Sequence, residues 1–388
     1  MTHTHTTPQP EVYRDPKRWV WWFSLGVPVL IGLGPLLMQW RNDPLMLWWP
    51  MVFLYLAVPL ADAAVGEARH NPPEWAVPQL EADRFYRYLT FALVPVLWVA
   101  FVFAVWFVAS YQLPWWGVLA MVLNAGAVGG FGINLGHELG HKHNRLERVL
   151  AMLALAPSAY GHFTIEHNRG HHAEVATPTD CASARMGESI WRFVWREMPG
   201  AALRAWRLEA DRLRQGGGQV WSWHNQFLQG LFITAVLWGG LLLWLGWDAL
   251  PFMLLTAAWT NFQLTSANYV EHYGLLRMQQ ANGRYERCEP RHSWNSNHVF
   301  SNWILFQLQR HSDHHAHAAR RYQALRHFDE APQLPSGYAG MFLLAYVPPL
   351  WFAVMNPRLL KAVGRDPARI NFAPGQREAL SRQYDLPV

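Results

Sequence analysis

The chain has 388 residues, of which only 15% are charged and 14% aromatic, with 23 tryptophans and a formal net charge of +5. That balance excludes an ordinary soluble enzyme, which carries about a quarter of its residues as charged side chains. The apolar residues are gathered into long runs, and most of the charge lies between them.

Residues 1–13 combine Thr, His and Pro without an apolar stretch, and read as a loose tail and not a signal peptide. Crossing a hydrocarbon layer takes roughly 17 to 25 consecutive apolar residues in a helix. Six stretches qualify: 19–40, 45–60, 88–110, 111–136, 227–247 and 249–270. The second is the weakest, because Asp62 closes it early, and the fourth is trimmed by its Pro-Trp-Trp start. The expectation is an all-α integral membrane protein with six transmembrane helices paired into hairpins. It divides into a tail (1–18), helices one to four (19–136), a polar segment (137–226), helices five and six (227–270) and a second polar segment (271–388). Between the first two hairpins, residues 67–83 read as a Pro-containing linker.

With the N-terminus in the cytoplasm, the links near Asn42, Pro114 and Asp248 face outward, and of 32 Lys and Arg residues only Arg41 joins them. This positive-inside pattern makes both termini and both polar segments cytoplasmic. The net positive charge then describes a face beside anionic lipid, and no nucleic-acid partner is expected. In the first polar segment, residues 201–214 form an Arg-rich interfacial helix stopped by Gly216-Gly217-Gly218. In the second, the apolar stretch 338–355 is interrupted by Pro348-Pro349 and is expected to be interfacial or re-entrant, not a seventh crossing. Cys181 and Cys288 stand alone on the reducing side and read as packing thiols.

Nine of the 19 histidines fall into compact clusters at the cytoplasmic ends of the helices. The first is His137-Glu-Leu-Gly-His141, whose two imidazoles share a helix face at i, i+4. The second is His167-Asn-Arg-Gly-His171-His172: His167 and His171 share a face, while His172 points about 100° round and could bind a neighbouring ion. The third is His311-Ser-Asp-His314-His315, with His311 and His315 paired again. His272 stands alone at the foot of the sixth helix, within Asn268-Tyr-Val-Glu-His-Tyr-Gly274. Nine imidazoles exceed the coordination of one ion and fit two; ligand type alone leaves Fe, Cu, Zn and Ni open.

The clusters HELGH, HNRGHH and HSDHH resemble the three histidine boxes of the membrane desaturase and hydroxylase superfamily over roughly residues 19–320. The motif NYVEHYG, with the extended third box LQRHSDHHA at 308–316, is similar to the alkane 1-monooxygenase branch in particular, with xylene-type methyl hydroxylases as near relatives. The resemblance implies two non-haem iron ions bound by His137, His141, His167, His171, His172, His272, His311, His314 and His315. It implies that O2 and two electrons from rubredoxin convert the terminal methyl of medium- to long-chain n-alkanes to 1-alkanols, in a bacterial inner membrane. Two isolated cysteines cannot supply the four thiolates of a rubredoxin iron, so the donor is expected to be a separate protein.

Glu138, Glu166, Glu271 and Asp313 adjoin the histidines, and each is a candidate to orient a histidine from another box. Asn261, Thr265 and Asn268 form a polar stripe above His272 that should face the metals. A substrate groove is expected along the fourth helix past Gly129 and Ile133, although close helix packing explains the glycines equally well. Leu54 and Phe131 join the groove by analogy of position with the family. The rival readings are a fatty-acyl desaturase or hydroxylase, a zinc intramembrane protease using HELGH with Glu138 as base, and a metal transporter.

Overall fold

The computed structural model describes residues 12–387, so the tail expected over 1–18 lies largely outside the described residues. No strand occurs among the described residues; the few β contacts are isolated bridges. Five helices are long and apolar enough to cross a membrane: α1 (Val20–Arg41), α2 (Pro44–Val65), α3 (Arg84–Ser110), α4 (Trp115–Gly140) and, after three further helices, α8 (Gln226–Leu245).

Between α4 and α8 lie α5 (Arg145–Leu155), a broken helix α6 over 163–174, and α7 (Ile190–Gln215). The sixth expected crossing is α9 (Leu250–His272), 23 residues long. Thr256, Thr260, Gln263, Thr265, Ser266 and Asn268 make it less apolar than the other five. Beyond it come the short α10 (Val299–Ile304) and α11 (His311–Ala316), then α12 (Tyr338–Ala345) and α13 (Pro348–Ala362), and finally α14 (Arg377–Gln383). The axes of α12 and α13 meet at 119°, so the apolar stretch broken by Pro348-Pro349 is no straight span.

Local chemistry sets the helix ends. Asp83, Asn144 and Asn225 cap α3, α5 and α8 by accepting from backbone N–H groups two residues on. Asp62 does not close α2 where its charge suggested. It is buried and accepts from the Ser301 backbone N–H at 3.0 Å, which lets the helix continue to Val65. Within α2 a π-turn covers Phe53–Ala57.

The largest buried cluster knits the spans together through residues such as Leu93, Met121 and Phe131. A second gathers Tyr269, Tyr273, Trp294, Trp351 and Leu359 under the histidine end. Many large apolar side chains on the outer faces of the spans remain exposed, Leu243 and Trp244 among them, as a lipid-facing surface requires.

Candidate metal centre

Four segments deliver histidines to one place. Helix α4 runs past its apolar stretch, so His137 and the capping His141 lie one turn apart on one face. In α6 the helix opens into a π-turn over His167–His171. Such a turn takes up an extra residue, which aligns His167 with His172, their Nε2 atoms 3.1 Å apart. On α11, His311 and His315 face each other with Nε2 atoms 2.8 Å apart. His272 closes α9, its Nε2 3.3 Å from that of His311.

The nine imidazoles fall into two groups, within each of which the ligand atoms lie no more than 4.8 Å from one another. The first holds His137, His141, His167, His172 and His314; the second holds His171, His272, His311 and His315. His167 and His171, which a regular helix would put on one face, fall into different groups because of the π-turn.

The polar interior of each group is unsatisfied by protein alone. His137 and His314 point Nε2 at Nε2 across 2.8 Å, and the buried Nε2 atoms of His141 and His171 have no hydrogen-bond partner. Leaving a buried acceptor unpaired costs roughly 1 to 3 kcal/mol. A transition-metal cation in each group would satisfy these nitrogens together, so the donor set fits metal.

Outside the groups, His171 Nδ1 sits 2.9 Å from an Asp180 carboxylate oxygen. Arg204 holds that carboxylate at 3.0 Å and Ser183 at 2.7 Å. Burial works to raise the Asp180 carboxyl, but His171 and Arg204 outweigh it and hold it well below the usual carboxylate range. Asp180 lies in an irregular loop, and no spacing in the sequence pointed to it.

Of the four carboxylates adjoining histidines, three pair elsewhere. Glu138 pairs with Lys142 at 3.1 Å, Glu166 with Arg204 at 2.6 Å, and Asp313 with His317 at 2.8 Å and with Arg320. The Lys142 pair also occupies the base that a zinc protease would need. Only Glu271 reaches the cluster: its Oε2 is 3.2 Å from His311 Nε2, and its Oε1 accepts from the Tyr338 hydroxyl at 2.6 Å.

The motif around His272 works as a unit. Tyr269 donates to the Glu188 carbonyl and Tyr273 to Asn356. Gly274 has φ +73° and leaves no room for a Cβ beside Leu359, so the chain can reverse directly after the histidine. Thr265 and Asn268 were expected to face the metals; both donate to Glu197, at 2.7 and 3.0 Å. Burial pushes the Glu197 carboxyl up to about 7, against the opposing effect of those hydrogen bonds.

A cavity of about 140 Å³ ends on His137, His167 and His311. Leu54, Phe131, Ile133 and Asn268 line it, together with Tyr55 and Gly130. Gly129 and Thr265 do not. Gly129 backs onto Thr260 of α9, so it is a packing glycine at a helix crossing.

Comparison with known proteins agrees with this architecture. The fatty acid desaturase family pattern matches residues 113–345, more than half of the chain. Alkane 1-monooxygenase 1 of Alcanivorax borkumensis is 46% identical over 97% of this chain and 93% of its own length. The alkane 1-monooxygenase of Ectopseudomonas oleovorans is 45% identical over 96% and 93%. The xylene/toluene monooxygenase hydroxylase component of Pseudomonas putida is 31% identical over 62% and 63%. The chain belongs to the alkane 1-monooxygenase family of oxidoreductases, within the histidine-box superfamily that includes the fatty acid desaturases.

Proposed function

We propose that this chain hydroxylates the terminal methyl of medium- to long-chain n-alkanes to 1-alkanols, using O2 and two electrons from rubredoxin. The observation that carries the reading is the apolar cavity that ends on imidazoles of both groups. A saturated chain offers no charge and no acidic proton, so side-chain acid–base chemistry alone has nothing to act on. Two non-haem irons, one for each histidine group, would supply O2 activation and hydrogen abstraction when bound.

The chain's own residues do the remaining work. Leu54, Phe131 and Ile133 receive the alkyl chain and exclude water. Asp180 accepts from His171 Nδ1–H, which leaves the Nε2 lone pair of that imidazole facing inward. Tyr338 fixes Glu271 so that its Oε2 can hold a proton at the cavity wall.

Rubredoxin would approach the basic, histidine-bearing face, with both termini in the cytoplasm of a bacterium and the spans in its inner membrane. The test is the purified, iron-loaded protein with reduced rubredoxin, ¹⁸O2 and a series of n-alkanes, with products identified by mass. Labelled 1-alkanols are expected. Their absence, or the appearance of unsaturated products from acyl substrates instead, refutes the reading.

A further inference from the structure

A second recess lies apart from the alkane cavity. It is a groove of about 740 Å³ between α5 and α8, with α6 and α7 at its polar end. Arg145, Arg148, Arg169 and Arg212 line that end, and Val149, Met152, Phe232 and Ile233 line the rest. Arg169 and Arg212 divide the buried Glu209 between them, each at 2.7 Å. Arg145 and Arg148 are exposed and have no ion-pair partner among the described residues; Glu147, between them in sequence, is buried and turned to Arg321. One carboxylate against four guanidinium groups leaves the groove with a net positive charge.

The apolar part runs along α5 and the span α8. The Leu153 carbonyl near the end of α5 accepts from Trp98 midway along α3, and the Pro157 carbonyl just beyond accepts from Trp238 midway along α8. So α5 leads from the arginines into the depth of the helical bundle. Val149 and Phe232 stay exposed beside it, with Trp223 edge-on to Phe232 at 5.1 Å. A basic end opening onto an apolar trough beside a span matches one chemistry: a negative headgroup with an acyl chain attached.

We infer that this groove binds an anionic glycerophospholipid, its phosphate among the arginines and one acyl chain along the trough. The floor includes Gly140 and Asn168, joined by a 2.9 Å hydrogen bond from the Asn168 amide to the Gly140 carbonyl. Gly140 lies between His137 and His141, and Asn168 follows His167, so a seated lipid braces two histidine segments against each other.

The experiment uses the full-length, metal-loaded protein, delipidated in detergent and offered equal amounts of phosphatidylglycerol and phosphatidylcholine, with adducts weighed by native mass spectrometry. The anionic lipid should be retained about tenfold better. The double variant Arg145→Gln, Arg148→Gln should lose that preference and keep its iron and melting temperature, since both side chains are exposed and unpaired. Equal retention of the two lipids by the unaltered protein overturns the inference without recourse to any variant. An undiminished preference in the double variant overturns it too. Displacement of phosphatidylglycerol by equimolar inorganic phosphate would assign the groove to a free anion and reject the lipid. None of these readouts depends on alkane turnover, so they stand or fall separately from the proposed activity.

Discussion

Asp180 and Glu197 are two buried carboxylates with opposite environments. Asp180 faces His171 and Arg204 and stays charged. Replacing it with Asn removes the charge that orients His171, and loss of such an outer partner typically costs about 10- to 100-fold in metal affinity or activity. Asp180→Asn should therefore bind less iron and turn over alkane more slowly, read by metal analysis and product formation; unchanged iron and rate would leave Asp180 a partner of Arg204 only. Glu197 titrates near 7 in the fold against an ordinary 4.5. Because the folded state holds the extra proton between those values, its contribution is most favourable below about pH 4.5 and declines as the pH rises to about 7, by roughly 3 kcal/mol in all. In Glu197→Gln the melting temperature should vary less across that window than in the unaltered chain; parallel profiles would refute it. Most of the histidines were legible in the sequence because i, i+4 pairs share a face in a regular helix. Asp180 and Glu197 were not, since loop geometry and the docking of α7 on α9 bring them in.

At the scale of elements, the i, i+4 rule failed once, at the π-turn of α6, where five residues and not four separate the facing histidines. Periodicity assumes a regular helix, and nothing in His-Asn-Arg-Gly-His announces the extra residue. The glycines of α4 had two readings from sequence, and the crossing with α9 decides for packing at Gly129. Leu54→Trp and Gly129→Trp should thus behave differently. The first intrudes on the cavity and should shift products from a mixed-chain alkane pool toward shorter chains, while iron content is kept. The second drives an indole into Thr260, where overpacking costs roughly 1 to 3 kcal/mol or more, and should lower the melting temperature. A product shift in Gly129→Trp at unchanged stability would move the substrate path to that face of α4.

For the whole molecule, five spans were legible as apolar runs, with ends set a few residues off by Asp62 and by the histidine-bearing extension of α4. If an acidic rubredoxin docks on the basic face, its reduction of the enzyme should slow with added salt, because exposed charges are screened beyond ~8 Å at physiological ionic strength. Stopped-flow reduction that ignores salt up to ~0.5 M would exclude charge steering.

The polar character of α9 bears on how the chain is made. Each polar residue near a segment's centre raises the cost of partition from the translocon into lipid, and α9 carries Thr260, Asn261 and Gln263 midway along. Two of those groups find partners in earlier helices: Thr260 donates to the Gly126 carbonyl of α4, and Gln263 accepts from Tyr55 of α2. If α9 is the sixth crossing, its insertion should depend on helices synthesised more than a hundred residues earlier being already in place. A topology reporter fused after residue 272 should show α9 inserted in the intact chain and left out when residues 1–140 are deleted, while α8 still inserts. Biogenesis in this fold should then run in a fixed order, the helix that ends on His272 waiting on the first four.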